Sequence, residues 1–249
     1  MVDSSDLLGD QEALRKRYAE DGYLKFSGLL PKKRVLGIRK LYFDLFNFKS
    51  DGCPSHGTPG HPAFSFVRSE VFDSFAKPEE MFQISEALLQ IDSVVPLKRR
   101  PLRHFKKGHA ASRAHADLSY VDQGTKDVVT FWVPIGDCLA DTGSLTYLEG
   151  SHKIGIDKLR QTMSDRTDSP NDKRRLSHDL QALAERTGRK WLVSDFEAGD
   201  VVCHSPYIIH ASLDCRTDEP RLSTDLRFVR LGDEIDPRWL KDWRADDGY

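Results

Sequence analysis

Gly199-Asp200-Val201-Val202-Cys203-His204-Ser205-Pro206-Tyr207-Ile208-Ile209-His210-Ala211-Ser212 holds two short β-rich runs, 200–204 and 207–213, parted by a Ser-Pro turn signal. Similar runs stand at about 94–105, 128–135, 144–148, 191–195 and 222–230, each bounded by Gly, Pro, Asp or Asn-type turn residues. That cadence predicts an antiparallel sandwich or barrel over about 94–232, not alternating βαβ units. One long charged interruption, 155–190, contains Ser169-Pro170-Asn171-Asp172 and then a helix-like run over 173–187. It reads as an insertion between two strands that folds over one mouth of the barrel.

The N-terminal part, about 1–93, has a different character. Good helix formers fill 11–20 and stop at Asp21-Gly22. Tyr23-Leu24-Lys25-Phe26 follows as a short strand, and Pro31 opens a second helix over about 31–47. Six Gly and Pro residues mark 50–62 as a loop, and a third helix is expected over roughly 77–91. At 249 residues, one domain spanning 1–249 is the expectation.

Composition excludes several classes of function. A net charge of −2 gives no reason to expect nucleic acid or an anionic membrane as partner. The basic cluster Lys98-Arg99-Arg100 is short enough to be a solvated face. The acidic start, Met1-Val2-Asp3-Ser4-Ser5-Asp6, lacks the pattern of a secretion signal, and no apolar run approaches the roughly 20 residues of a membrane span. Four scattered cysteines without a CxxC pair fit reduced thiols in a cytoplasmic protein. No obligate protein partner is evident; a small-molecule substrate is expected.

Chemistry enters with Arg113-Ala114-His115-Ala116-Asp117. On a strand, positions i and i+2 share a face, so this imidazole and carboxylate converge. A second imidazole would complete a 2-His-1-carboxylate facial triad, leaving three cis positions on an octahedral iron(II) for oxygen and a chelating cosubstrate. Alone the motif carries little, because a chain with nine His and abundant Asp contains about one such pair by chance. The distant strand adds the weight. His210 lies there, Ser212 shares its face, and Arg221 follows eleven residues after His210. The planar fork of an arginine suits the far carboxylate of a dicarboxylate cosubstrate.

His115-Ala-Asp117, Phe131-Trp132-Val133-Pro134-Ile135-Gly136-Asp137, Asp141-Thr142-Gly143-Ser144-Leu145 and Glu149-Gly150-Ser151-His152 resemble, in that order, the phytanoyl-CoA dioxygenase-like proteins. Gly199-Asp200, His210, Ser212 and Arg221 continue the likeness, which covers the chain from about Asp21 onward. The resemblance implies a double-stranded β-helix, or jelly roll, with N-terminal helices packed on one sheet. It implies iron(II) on His115, Asp117 and His210, and 2-oxoglutarate with its C5 carboxylate on Arg221 and Ser212. Arg100, His104 and Thr130 are the further polar candidates near the cosubstrate. The implied activity is an oxygen-dependent hydroxylation of an unactivated C–H bond with release of succinate and carbon dioxide. Asp117 argues against halogenation, which in this fold uses a small residue at that position; epimerisation, desaturation and cyclisation stay open. So does a non-catalytic jelly-roll binding module, and a cupin-like metalloenzyme is disfavoured by the lack of a dense His cluster near His115.

Arg227 shares a strand face with Arg221, Ser223 and Asp225. A buried guanidinium needs a partner. Asp225 is the leading one, with an anionic substrate the alternative. Tyr120 and Trp132 are candidates for the substrate channel, Trp132 more as pocket wall. His204 reads as structural, and His152 as a buttress of the turn after Gly150-Ser151.

Overall fold

The computed structural model describes residues 1–45, 60–108, 113–155, 158, 175–177 and 179–244. Two antiparallel sheets face each other. The larger is built from β1 (Tyr23–Phe26), β2 (Val94–Pro96), β3 (Leu102–Phe105), β5 (Val128–Pro134), β9 (Val201–His204) and β11 (Arg221–Arg230). Its order is β1-β9-β5-β11-β2, with β3 also paired to β11. The smaller runs β7-β4-β10-β6-β8, from β4 (Ala114–His115), β6 (Leu145–Leu148), β7 (Arg175–Ser177), β8 (Trp191–Leu192) and β10 (His210–Ser212). This is the jelly roll that the resemblance implies, and an antiparallel sandwich as the strand cadence predicts.

The larger sheet is covered on both faces, so every residue of β5 is buried. Val129, Phe131 and Val133 point outward into a core shared with the helices, while Thr130 and Trp132 face the smaller sheet. That outer core is closed by α1 (Gln11–Asp21), α2 (Lys32–Phe43), α3 (Pro62–Phe66), α4 (Glu70–Phe75) and α5 (Glu79–Leu89). Helix α1 starts on Asp10, whose carboxylate accepts from the Ala13 amide, and stops at left-handed Gly22. Helix α5 drives Phe82 against Phe228, 5.0 Å between ring centroids and edge to face, and Phe131 closes on the same ring at 5.5 Å. Full burial, as at Phe131 and Phe228, contributes roughly 1.5–3 kcal/mol per side chain. Together they fix which face of β5 and β11 looks away from the helices, and that face carries the chemistry.

Two expectations change. The strand expected over 94–105 is broken at 97–101, where Pro101 has no amide hydrogen for a ladder. The expected helical run at 173–187 is a strand, β7, followed by helix α6 (Leu180–Thr187) capped by Asp179. Leu176 is fully buried and β7 pairs with β4, so tertiary contact overrides a locally helical sequence. The rest of the insertion from 159 to 174, and most of the loop expected at 50–62, lie outside the described residues. Among the described residues, no helix is long and apolar enough to cross a membrane.

Candidate metal centre

Strands β4 and β10 are neighbours in the smaller sheet, and their ladder sets His210 directly opposite His115. Opposed residues share a face, so both imidazoles enter the space between the sheets, 4.2 Å apart at their centroids. Asp117, at the start of the turn after β4, joins them. One ligand atom from each of His115, Asp117 and His210 lies within 4.8 Å of the others. His115 Nδ1 is 2.7 Å from the Arg113 carbonyl, and His210 Nδ1 is 3.1 Å from that of Ile208. A carbonyl only accepts, so each Nδ1 carries the proton and each Nε2 presents its lone pair inward. The Ser151 hydroxyl accepts from the Ile209 amide at 2.8 Å and fixes the strand beside His210.

Asp117 uses its two oxygens differently. Oδ1 faces the histidines, 3.9 Å from His115 Nε2 and 3.7 Å from His210 Nε2. Oδ2 accepts from Thr130 Oγ1 at 2.8 Å and from Arg227 Nη2 and Nε at 2.8 and 3.2 Å. His204 Nε2 stands 3.5 Å from Oδ2, at the long limit of a hydrogen bond, and its Nδ1 lies 2.7 Å from the Tyr147 hydroxyl.

Burial opposes charge on Asp117, but the Arg227 guanidinium and then His204 and His210 outweigh it and hold the carboxyl well below the usual range. Burial, opposed by Asp117, lowers His115; burial, reinforced by His115 and His204, lowers His210 further. Two neutral imidazoles and an ionised carboxylate are the protonation states that a divalent ion needs, and their hardness suits iron(II). The residues fit the metal.

Deeper in the same space, the Arg221 guanidinium donates to Ser212 Oγ at 2.7 Å and to the Gly143 carbonyl at 2.6 Å, and lies over Phe105 at 4.3 Å. Gly143 has φ +93, and a Cβ there would come within 2.9 Å of the Leu213 carbonyl, so the turn that aims this carbonyl needs glycine.

The structure separates the remaining candidates. Thr130 supports Asp117. His104 pairs with Leu222, whose side chain belongs to the outer core, and its ring lies against Tyr42 and Phe43. Arg100 reaches Asp73 on α4 at 2.7 Å. Both therefore sit on the helix side of the larger sheet, away from the centre. The register decides this, because Arg103 and Phe105 take the inward positions of β3. The expected Arg227–Asp225 pair does not form: Arg227 reaches Asp117 in the turn after β4, and Asp225 faces Arg103 at 4.0 Å. Tyr120 touches the His115 ring edge to face at 5.4 Å, and Trp132 packs on Phe196 between the sheets. His152 buttresses α1, its Nε2 3.2 Å from the Ala19 carbonyl. Sequence reasoning missed Tyr147, Trp239 and the part of His204. The one signal in the chain was the alternation that puts His204 on the face of Val202.

A profile described as "Phytanoyl-CoA dioxygenase (PhyH)" matches residues 18–223. The chain belongs to that family. It is a non-haem iron enzyme dependent on 2-oxoglutarate and dioxygen. It is 24% identical over 246 residues to the 1-deoxypentalenic acid 11-beta-hydroxylase of Streptomyces exfoliatus, covering 91% of this chain and 84% of that one. The Streptomyces arenae protein of the same name is 22% identical with the same coverage. Among solved structures, the fold is shared with the epimerase SnoN in complex with Fe3+, alpha ketoglutarate and nogalamycin RO (TM-score 0.68, 19% identity, 91% of this chain, 86% of that one). It is also shared with the carbocyclase SnoK from nogalamycin biosynthesis (TM-score 0.65, 16% identity, 95% and 90%).

Proposed function

We propose that the protein hydroxylates an unactivated C–H bond of a small biosynthetic intermediate, with the metal on His115, Asp117 and His210. The observation that carries this is the convergence of those three ligand atoms beside a second, deeper site at Arg221 and Ser212. Arg221 would take the C5 carboxylate of 2-oxoglutarate through its planar fork, with the Ser212 hydroxyl beside it. Iron(II) bound with 2-oxoglutarate supplies the oxidising power for C–H cleavage, with release of succinate and carbon dioxide. The protein's own residues orient the target carbon and keep water out. Tyr120 and Trp132 would wall the substrate space, with Arg103 and Asp225 offering it a charged pair. Two nitrogens of Arg227 are engaged by Asp117, which moves this residue from substrate contact to support of the centre. The hydroxylase relatives favour hydroxylation among the outcomes open to this chemistry. The free thiols of Cys138, Cys203 and Cys215 suit a cytoplasmic site of action.

A metabolite screen for substrate-dependent succinate release tests the proposal. His115→Ala should abolish the release; undiminished turnover in that variant would remove the ligand assignment.

A further inference from the structure

We propose that Arg227, held in place by Trp239, is a positioning residue that keeps Asp117 a one-oxygen metal ligand; this rests on the metal site proposed above. A carboxylate oxygen offers about two lone pairs. Those of Asp117 Oδ2 are taken by Thr130 Oγ1 and by two nitrogens of Arg227, while Oδ1 faces His115 and His210. The difference matters at an octahedral ion. A carboxylate bound through both oxygens would bring the protein's share of the six positions to four, leaving two where a chelating 2-oxo acid and oxygen together need three.

Arg227 can do this only if its guanidinium plane is fixed. Trp239 fixes it: the guanidinium carbon lies 4.3 Å from the indole centroid, a stacked cation–π contact. The indole is itself pinned. Its Nε1 donates to the Tyr120 carbonyl at 2.8 Å, and the Trp239 backbone carbonyl accepts from the Lys98 and Arg99 amides at 3.2 Å each. Tyr120 belongs to the turn that Asp117 opens, so Trp239 holds both the ligand's loop and the arginine that grips the ligand.

The segment carrying Trp239 is clipped to the same loop at further points, among them two backbone amides. The Thr125 amide donates to the Glu234 carbonyl at 2.8 Å, and the Gln123 amide to the Asp236 carboxylate at 3.2 Å. Arg227 and Trp239 both lie beyond residue 223, where the family match ends, so the family assignment does not itself supply the device.

Water-proton relaxation of the full-length protein loaded with manganese(II), without cosubstrate, counts the coordination positions open to exchanging water. Arg227→Met removes the fork and leaves Oδ2 with the Thr130 hydroxyl as its remaining close donor, and the paramagnetic enhancement should fall by about a third as three open positions become two. Trp239→Leu keeps both charges but releases the guanidinium plane; it should shift the enhancement in the same direction, and a thermal melt of each variant shows which are folded. If Arg227→Met does not fold, Trp239→Leu carries the test. Wild-type enhancement in every variant that folds overturns the proposal. A wild-type protein that gives no enhancement over free manganese(II) fails at the metal site itself, which is a separate outcome.

Discussion

Arg221→Ala should raise the 2-oxoglutarate requirement while leaving metal binding in place. Arg221 is 2% exposed, so a carboxylate that reaches it meets a desolvated guanidinium already aimed by Gly143 and Ser212. Truncating one member of a buried, hydrogen-bonded charge pair costs about 2–5 kcal/mol. At 1.4 kcal/mol per tenfold, the dissociation constant should rise between roughly 30-fold and several-thousand-fold. Ser212→Ala removes one hydroxyl and leaves the charge, so a loss of about 1 kcal/mol, or some fivefold, is expected. The assay is an anaerobic titration of the iron(II)-loaded protein with 2-oxoglutarate, followed by its charge-transfer absorption. Thermal melts of the apo variants separate a binding loss from a folding loss. A change below threefold in a folded Arg221→Ala protein would refute the assignment and put the cosubstrate carboxylate elsewhere.

Thr130→Val, nearly isosteric, strips one donor from Asp117 Oδ2; a loss of about 1–3 kcal/mol in a denaturant melt is expected, because the acceptor stays buried. Gly143→Ala forces a Cβ into a left-handed position and towards the Leu213 carbonyl, so a loss of about 1–3 kcal/mol should accompany weaker 2-oxoglutarate binding. For the apo protein, His115 and His210 both have lowered folded-state values against an ordinary 6.5. Below pH 6.5 the unfolded chain takes up protons that the folded one refuses, so stability should fall as pH drops from 6.5, at up to about 1.4 kcal/mol per pH unit for each histidine. Asp117, shifted downward, keeps its contribution until below pH 3.8 and does not mask that slope. Chemical denaturation between pH 7 and 5 measures it, and a flat profile would mean the imidazoles are not held neutral.

The sequence by itself determined the strand cadence and the pairing of a helical N-terminal part with a β core, and its family resemblance singled out His115, Asp117, His210, Ser212 and Arg221 as candidates, of which the fold brings His115, Asp117 and His210 together. These are legible because strand alternation is a local period of two, and because the metal and a dicarboxylate each demand particular side-chain types. Tertiary structure decided what alternation alone leaves open. The turn at 97–101 sets the phase of β3, so His104 faces the helices and Phe105 the interior, a distinction of one residue that no composition reveals. Arg227 lies only two residues from Asp225, yet its long side chain reaches Asp117, 110 positions away in the chain. Trp239 joins that contact from a segment beyond the last strand. Burial makes such choices: a charge taken out of water pairs with whatever opposite charge the packed sheets bring within reach, and only the assembled fold says which one that is.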